Sequence, residues 1–267
     1  MKKQRVRAIY LLLGMILMLA LTACHVPDPK LEGNNALDDV NRDIGEEVES
    51  REEQEEFLME EFYKLLKEPR NKDGLVEFLD ENISKLSIAN ASLMIVSLEE
   101  YLEDSNYNFE ESYILLNKYK QYVSLEIKSY LSILFTEASR PFKNDKNINI
   151  DLEELLGRIK MAEDHITIFA RGDTRENIEA LYKDYIKGLI VGSGDRSSLT
   201  ESDSSLIKEE LIDLYRSAVR EKERKGISNI LREYLIILER NNGDLDSDEV
   251  KDFHSDLDKI IINEIDE

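Results

Sequence analysis

Few residues in this chain are of types that do chemistry. It has one cysteine, Cys24, and three histidines, His25, His165 and His254. A lone thiol can take up an acyl or alkyl group. It cannot close an intrachain disulfide or form a thiolate metal set. His165 follows Asp164 beside an apolar helical stripe, and His254 follows Phe253. Both read as partly exposed helix histidines. Neither has a glutamate three residues before it, as a di-iron helix pair requires. No His-Glu-x-x-His is present, which closes that zinc-hydrolase route.

Two further runs invite a functional reading. Gly192-Ser193-Gly194 lacks both the Gly-x-Ser-x-Gly spacing of a nucleophile elbow and a following Gly-Lys-Ser/Thr, so it reads as a loop between helices. Asn242-Gly243-Asp244-Leu245-Asp246-Ser247-Asp248-Glu249 places oxygens at alternate positions, like the start of a calcium loop. An EF-hand needs Gly at position 6 and Glu at position 12. Ser247 and Phe253 stand there instead, and a glycine stop followed by a helix cap explains the run. Acid pairs three or four apart recur on almost every helix, as expected with 57 acidic residues in 267. No pair stands out as the two carboxylates of a glycosidase. No catalytic, cofactor or metal residue is therefore assigned.

Cys24 gains meaning from what precedes it. Lys2, Lys3, Arg5 and Arg7 lie ahead of an apolar run, Leu11 to Leu21, and small residues close it. This is the layout of a secretory signal. The uncharged stretch from Ala8 to Ala23 has sixteen residues, short of the roughly 20 that a permanent span needs. Leu21-Thr22-Ala23-Cys24 resembles the lipobox of bacterial lipoproteins. That resemblance implies cleavage before Cys24 and lipid attachment to its sulfur. Residues 1–23 would then be a lipoprotein signal peptide, and the chain would be held at the extracytoplasmic face of the cell membrane. Two acyl chains are enough to anchor a protein stably, at about 0.8 kcal/mol per buried CH₂.

Charge narrows the partners. The net charge is −22, and the leader carries four of the positive charges, so the chain beyond it carries −26. Such a body repels nucleic acid and anionic lipid head groups alike. Its contact with the membrane is expected to run through the lipid on Cys24 alone. Eleven glycines and four prolines are too few for a turn-rich β domain.

The elements follow from periodicity. Residues 24–45, with Pro27, Pro29 and Gly33, show no apolar period and read as a flexible tether. An acidic all-α domain, 46–267, is expected beyond it. Its first helix is solvated at the start and carries a stripe from Phe57 and Leu58 through Phe62, Leu65 and Leu66. Apolar residues at spacings of three and four then recur around Leu79, Ile95, Tyr113, Leu131, Ile159, Ile186, Leu211, Leu235 and Leu257. Ser87 and Ser124 are candidate N-caps, and Pro141 a helix stop. Thr200 with Asp203 approximates a capping box. Gly172, Gly226 and Gly243 are candidate stops. The expected fold is all-α: an irregular bundle or helical-hairpin array of about eight amphipathic helices.

Tyr101, Tyr107, Tyr113, Tyr119, Tyr122 and Tyr130 crowd into thirty residues. They suit either a contact surface or packing with wet hydroxyls. Lys118-Tyr119, Tyr122 to Leu131, Glu179 to Tyr185 and Arg232-Glu233-Tyr234-Leu235 resemble segments of uncharacterised clostridial lipoproteins. This adds a Gram-positive setting and no mechanism. The expected role is a non-enzymatic binding or scaffold module of the envelope, meeting an unknown protein or envelope partner. The alternative is an envelope hydrolase working through a carboxylate pair.

Overall fold

The computed structural model describes residues 35–144, 147–192, 194, 196–202, 204–220 and 225–266. Cys24, His25, the leader, Ser193 and Asp203 lie outside the described residues. The chain divides into two compact units, Met1–Arg51 and Glu52–Glu267. The second holds the whole core described below.

The fold is all-α. Ten α-helices are described: α1 (Asn35–Leu65), α2 (Lys72–Asn82), α3 (Ile88–Asp104), α4 (Phe109–Asn117), α5 (Leu125–Ser139), α6 (Leu152–Ile168), α7 (Arg175–Ile190), α8 (Glu209–Arg220), α9 (Lys225–Arg240) and α10 (Asp248–Asp266). Short 3₁₀ turns follow α2 and precede α8. Among the described residues β structure is confined to isolated bridges, such as Lys143 with Ile148 and Leu206 with Asp244. Ten helices are described, against about eight expected.

Local chemistry sets many boundaries. The Ser87 hydroxyl accepts from Asn90 N, and Ser124 from Ile127 N, so both expected caps form. Ser124 N in turn donates to Ser92 Oγ of α3 at 2.9 Å. α5 ends just ahead of Pro141, which has no N–H to continue it. Gly243 stops α9 with φ +75°, a conformation that a side chain would strain.

Helical backbone of α1 is described from Asn35. Three expectations need correction. Phe57 stays 60% exposed, so the buried stripe begins at Leu58. Thr200 does not open a helix; it bridges Ile207, and α8 starts at Glu209. Gly226 lies inside the first turn of α9, not at a stop. Its N–H is satisfied by the Glu163 carboxylate of α6 at 2.9 Å.

One core cluster runs from Leu58 and Phe62 in α1 to Leu257 and Ile261 in α10. Sequential neighbours pack: α4 on α5, α6 on α7, α8 on α9, α9 on α10. Tyr130, Tyr182, Tyr185, Tyr215 and Tyr234 are fully enclosed. Of the crowded tyrosines, Tyr113, Tyr119 and Tyr130 are buried. Packing, not a contact surface, accounts for those three.

Candidate functional site

Polar side chains converge on the interface of α5, α6 and α7. On α5, Glu126, Ser129, Tyr130 and Glu137 share one face through helical spacing. α6 meets that face with His165 and Arg158, and α7 with Thr174, Asn177 and Tyr185. His165 at the end of α6 meets the start of α5, whereas Arg158 meets its far end. α6 is thus antiparallel to α5, and α7 runs parallel to it.

The first node is a relay. Thr174 donates its hydroxyl to Glu126 Oε1 at 2.7 Å, and its N–H to the same oxygen at 3.0 Å. Its Oγ1 is then the acceptor for His165 Nε2, 3.0 Å away. His165 Nδ1 is left as an acceptor, and Ser129 Oγ donates to it at 3.0 Å. Expected to be partly exposed, His165 is in fact 1% exposed, packed against Phe169. Burial holds its pKa below the usual histidine range, against the opposing pull of Glu126. A serine hydroxyl on a histidine nitrogen is the contact of a nucleophile with its base. Here the partners use up both ring nitrogens and lock three helices together.

The second node centres on Arg158, buried at 4%. It donates to Glu137 at 2.8 Å and to Glu154 at 2.7 Å. Tyr185 donates to the same Glu137 oxygen at 2.8 Å. The other Glu137 oxygen accepts Phe142 N at 2.9 Å, pinning the turn after α5. The third node is Glu99 of α3, which accepts both the Tyr113 and the Tyr130 hydroxyls. Burial raises the Glu99 carboxyl above its usual range, although those two bonds oppose it. Burial, reinforced by the carboxylates, pushes the Tyr113, Tyr130 and Tyr185 phenols well above their ordinary pKa, so they remain donors.

The turn that Glu137 pins forms one wall of a cleft of about 640 Å³. Asn149 N returns to Phe142 O at 2.8 Å, and Asn144 N to Asn147 O at 3.0 Å. This tight turn presents Lys143 and Asn144 to the cleft. The floor is α7, with Asp184, Lys187, Gly188 and Val191, and the opposite wall is α10, with His254 and Asp258. Gly188 allows close approach: a Cβ there would lie 3.0 Å from the Phe142 ring and 3.2 Å from Ile148.

Charges alternate across the cleft. Lys143 pairs with Asp184 at 2.8 Å, and Lys187 with Asp258 at 2.7 Å. All four side chains remain about half exposed, where such pairs contribute little and exchange readily. His254 lies one turn before Asp258. Its Nε2 is 3.0 Å from the hydroxyl of fully buried Tyr234. That phenol needs an acceptor, so Nε2 accepts and the ring proton sits on Nδ1. Burial, with the positive charge of Arg196 adding to it, lowers the His254 pKa to about 4. The cleft therefore offers two ammonium groups, two carboxylates and a neutral ring.

A second hollow of about 240 Å³ lies among Lys72, Val76, Leu102, Tyr107 and Leu115. It is below the range of ligand sites. In the calcium-like run, Asp246 Oδ1 is turned to Arg196 at 3.4 Å and Lys251 at 3.7 Å, and Glu249 bonds Arg240 and Asn241. Gly192 and Gly194 adopt positive φ in the turn after α7, and Gly192 borders the cleft. Among the described residues, no group of three or more His, Cys, Asp or Glu is placed to hold a metal ion, and no helix is long and apolar enough to cross a membrane.

Sequence reasoning missed both the seam and the cleft. A signal for the seam was present: Leu155, Arg158, Ala162 and His165 follow spacings of three and four, which put the two polar residues on the buried stripe. The cleft has no local signature, because Lys143, Asp184 and Asp258 come from three distant segments. No family model, curated protein or solved structure matches this chain.

Proposed function

We infer that the chain is a lipoprotein, held by lipid on Cys24 to the extracytoplasmic face of the cell membrane. Its acidic helical domain acts as a non-enzymatic binding module of the envelope, with the cleft between α7 and α10 as its binding site. The helices of the second unit are arranged as an irregular bundle of successive hairpins, α4–α5, α6–α7 and α8–α9, with α10 packed on α9.

The observation that carries the binding reading is the pairing inside the cleft. Asp184 and Asp258 each face a lysine within 2.8 Å. Carboxylates neutralised in this way suit recognition of a charged ligand better than general acid and base catalysis. An envelope hydrolase would need these two acids free and their pKa values driven apart. The lipid anchor rests on Leu21-Thr22-Ala23-Cys24 and the basic, apolar leader before it. The charge of −26 beyond that leader disfavours nucleic acid and a direct embrace of anionic lipid.

The test is fractionation of cells carrying Cys24→Ser, together with in-cell crosslinking of the unaltered chain. The reading expects the variant to leave the membrane fraction in detergent-free buffer. It also expects crosslinks at the lips of the cleft, around Lys143 and Lys187. A variant that still sediments with membranes overturns the anchor. Digestion of cell-wall material by the chain, abolished by Asp184→Asn or Asp258→Asn, overturns the non-enzymatic reading.

A further inference from the structure

We propose that the cleft between α7 and α10 binds a small zwitterion of dipeptide size, carrying an ammonium at one end and a carboxylate at the other. This inference rests on the binding-module reading and specifies its ligand.

From the turn after α5 across α7 to α10 the charges run Lys143, Asp184, Lys187, Asp258. Asp184 and Lys187 lie one helical turn apart on the same face of α7. Each finds its present partner on a different element: Lys143 on the turn at 2.8 Å, Asp258 on α10 at 2.7 Å. A simple anion would satisfy the two lysines and leave the two carboxylates facing it. A simple cation would do the reverse. A ligand with both charges can offer a carboxylate to a lysine and an ammonium to an aspartate, so that neither sign in the cleft faces a like charge alone.

The other walls favour the same ligand. His254 lines the cleft, and with buried Tyr234 on Nε2 at 3.0 Å its ring proton is on Nδ1. That neutral donor adds a hydrogen bond for a carboxylate drawn to Lys187, with no further charge. The ligand's ammonium then falls to Asp184. Gly192 borders the floor without a side chain, and the absence of one at Gly188 lets Phe142 and Ile148 pack close against α7. The volume, about 640 Å³, lies within the roughly 300–1,000 Å³ of small-molecule sites. The wall that carries Lys143 is pinned through Phe142 N to Glu137, at 2.9 Å, so the cleft is largely formed before a ligand arrives.

The experiment is calorimetric titration of the full-length chain in detergent with three probes: L-alanyl-L-alanine, its N-acetyl derivative and its C-terminal amide. The zwitterion is expected to bind, and each singly charged analogue to bind about tenfold more weakly or worse. Lys187→Gln and Asp184→Asn are expected to weaken dialanine by about tenfold while keeping the melting temperature. Lys259→Gln, at an exposed pair outside the cleft, serves as the control and should change nothing. Two results overturn the proposal: no heat from dialanine up to about 10 mM, or analogues that bind as tightly as dialanine. If a singly charged analogue binds and is lost in Lys187→Gln, the zwitterion class falls and the binding module stands. If all three probes fail and no crosslinks form at Lys143 and Lys187, both readings fall together.

Discussion

Arg158 and Glu137 form a buried ion pair, N to O 2.8 Å, that joins α6 to α5 and reaches the cleft through a third group. The same carboxylate holds Tyr185 of α7 and the backbone of Phe142. One side chain thereby fixes three helices and the turn that displays Lys143.

Removing one member of this pair strands the other. Arg158→Ala is expected to lower unfolding free energy by about 3–5 kcal/mol, because Glu137 loses its charged partner in a poorly solvated site, whereas Glu154 keeps Arg140 at 2.6 Å. The double change Arg158→Met with Glu137→Leu should cost less than the single one. Urea unfolding of the two variants checks this, and equal losses would contradict it.

His254 predicts a stability change with pH. Burial keeps His254 neutral until about pH 4, whereas in the unfolded chain it takes up a proton near 6.5. As pH falls from about 6.5 to about 4, the unfolded state binds a proton that the folded state refuses. Stability conferred by the neutral ring is therefore complete above that window and lost through it. His165, also held low, adds in the same direction. His254→Gln keeps an acceptor for Tyr234 and cannot titrate. Its stability should fall less between pH 7 and pH 4.5 than that of the unaltered chain. Parallel curves would refute the assignment.

Glu99 behaves in the opposite sense. Its carboxyl is raised, so the folded state holds that proton to higher pH than the unfolded chain does. Ionisation of the folded chain, opposed by burial, then weakens the fold as pH rises. Glu99→Gln still accepts from Tyr113 and Tyr130 and is expected to be more stable at pH 7, with the advantage fading below about pH 4.5. Thermal melts at the two pH values measure it.

Gly188 tests the link between floor and wall. Gly188→Ala would push a methyl to 3.0 Å from Phe142 and is expected to destabilise by about 1–3 kcal/mol, as overpacking does. The displaced turn should also weaken dialanine binding. Unchanged melting and unchanged binding together would show that the turn does not rest on α7.

Much of this fold is legible in the sequence because it is carried by local rules. Ser87 and Ser124 cap as their types require, Pro141 and Gly243 stop helices, and the apolar stripes mark nearly every helix. Where a distant residue overrides a local rule, the sequence misleads. Gly226 reads as a stop until Glu163 of α6 caps it. Thr200 reads as a cap until Ile207 bridges it. His165 reads as a partly exposed residue because its partner Ser129 lies on another helix. The cleft is the extreme case, since its charges acquire meaning only once α7, α10 and the 142–150 turn are side by side.

The most direct test of the account is the intact mass of the chain extracted from membranes of its native host. The account predicts a polypeptide that begins at Cys24, lacks residues 1–23 and carries the added mass of diacylglycerol on that sulfur. A chain that retains Met1, or one that begins at Cys24 with a free thiol, would contradict it.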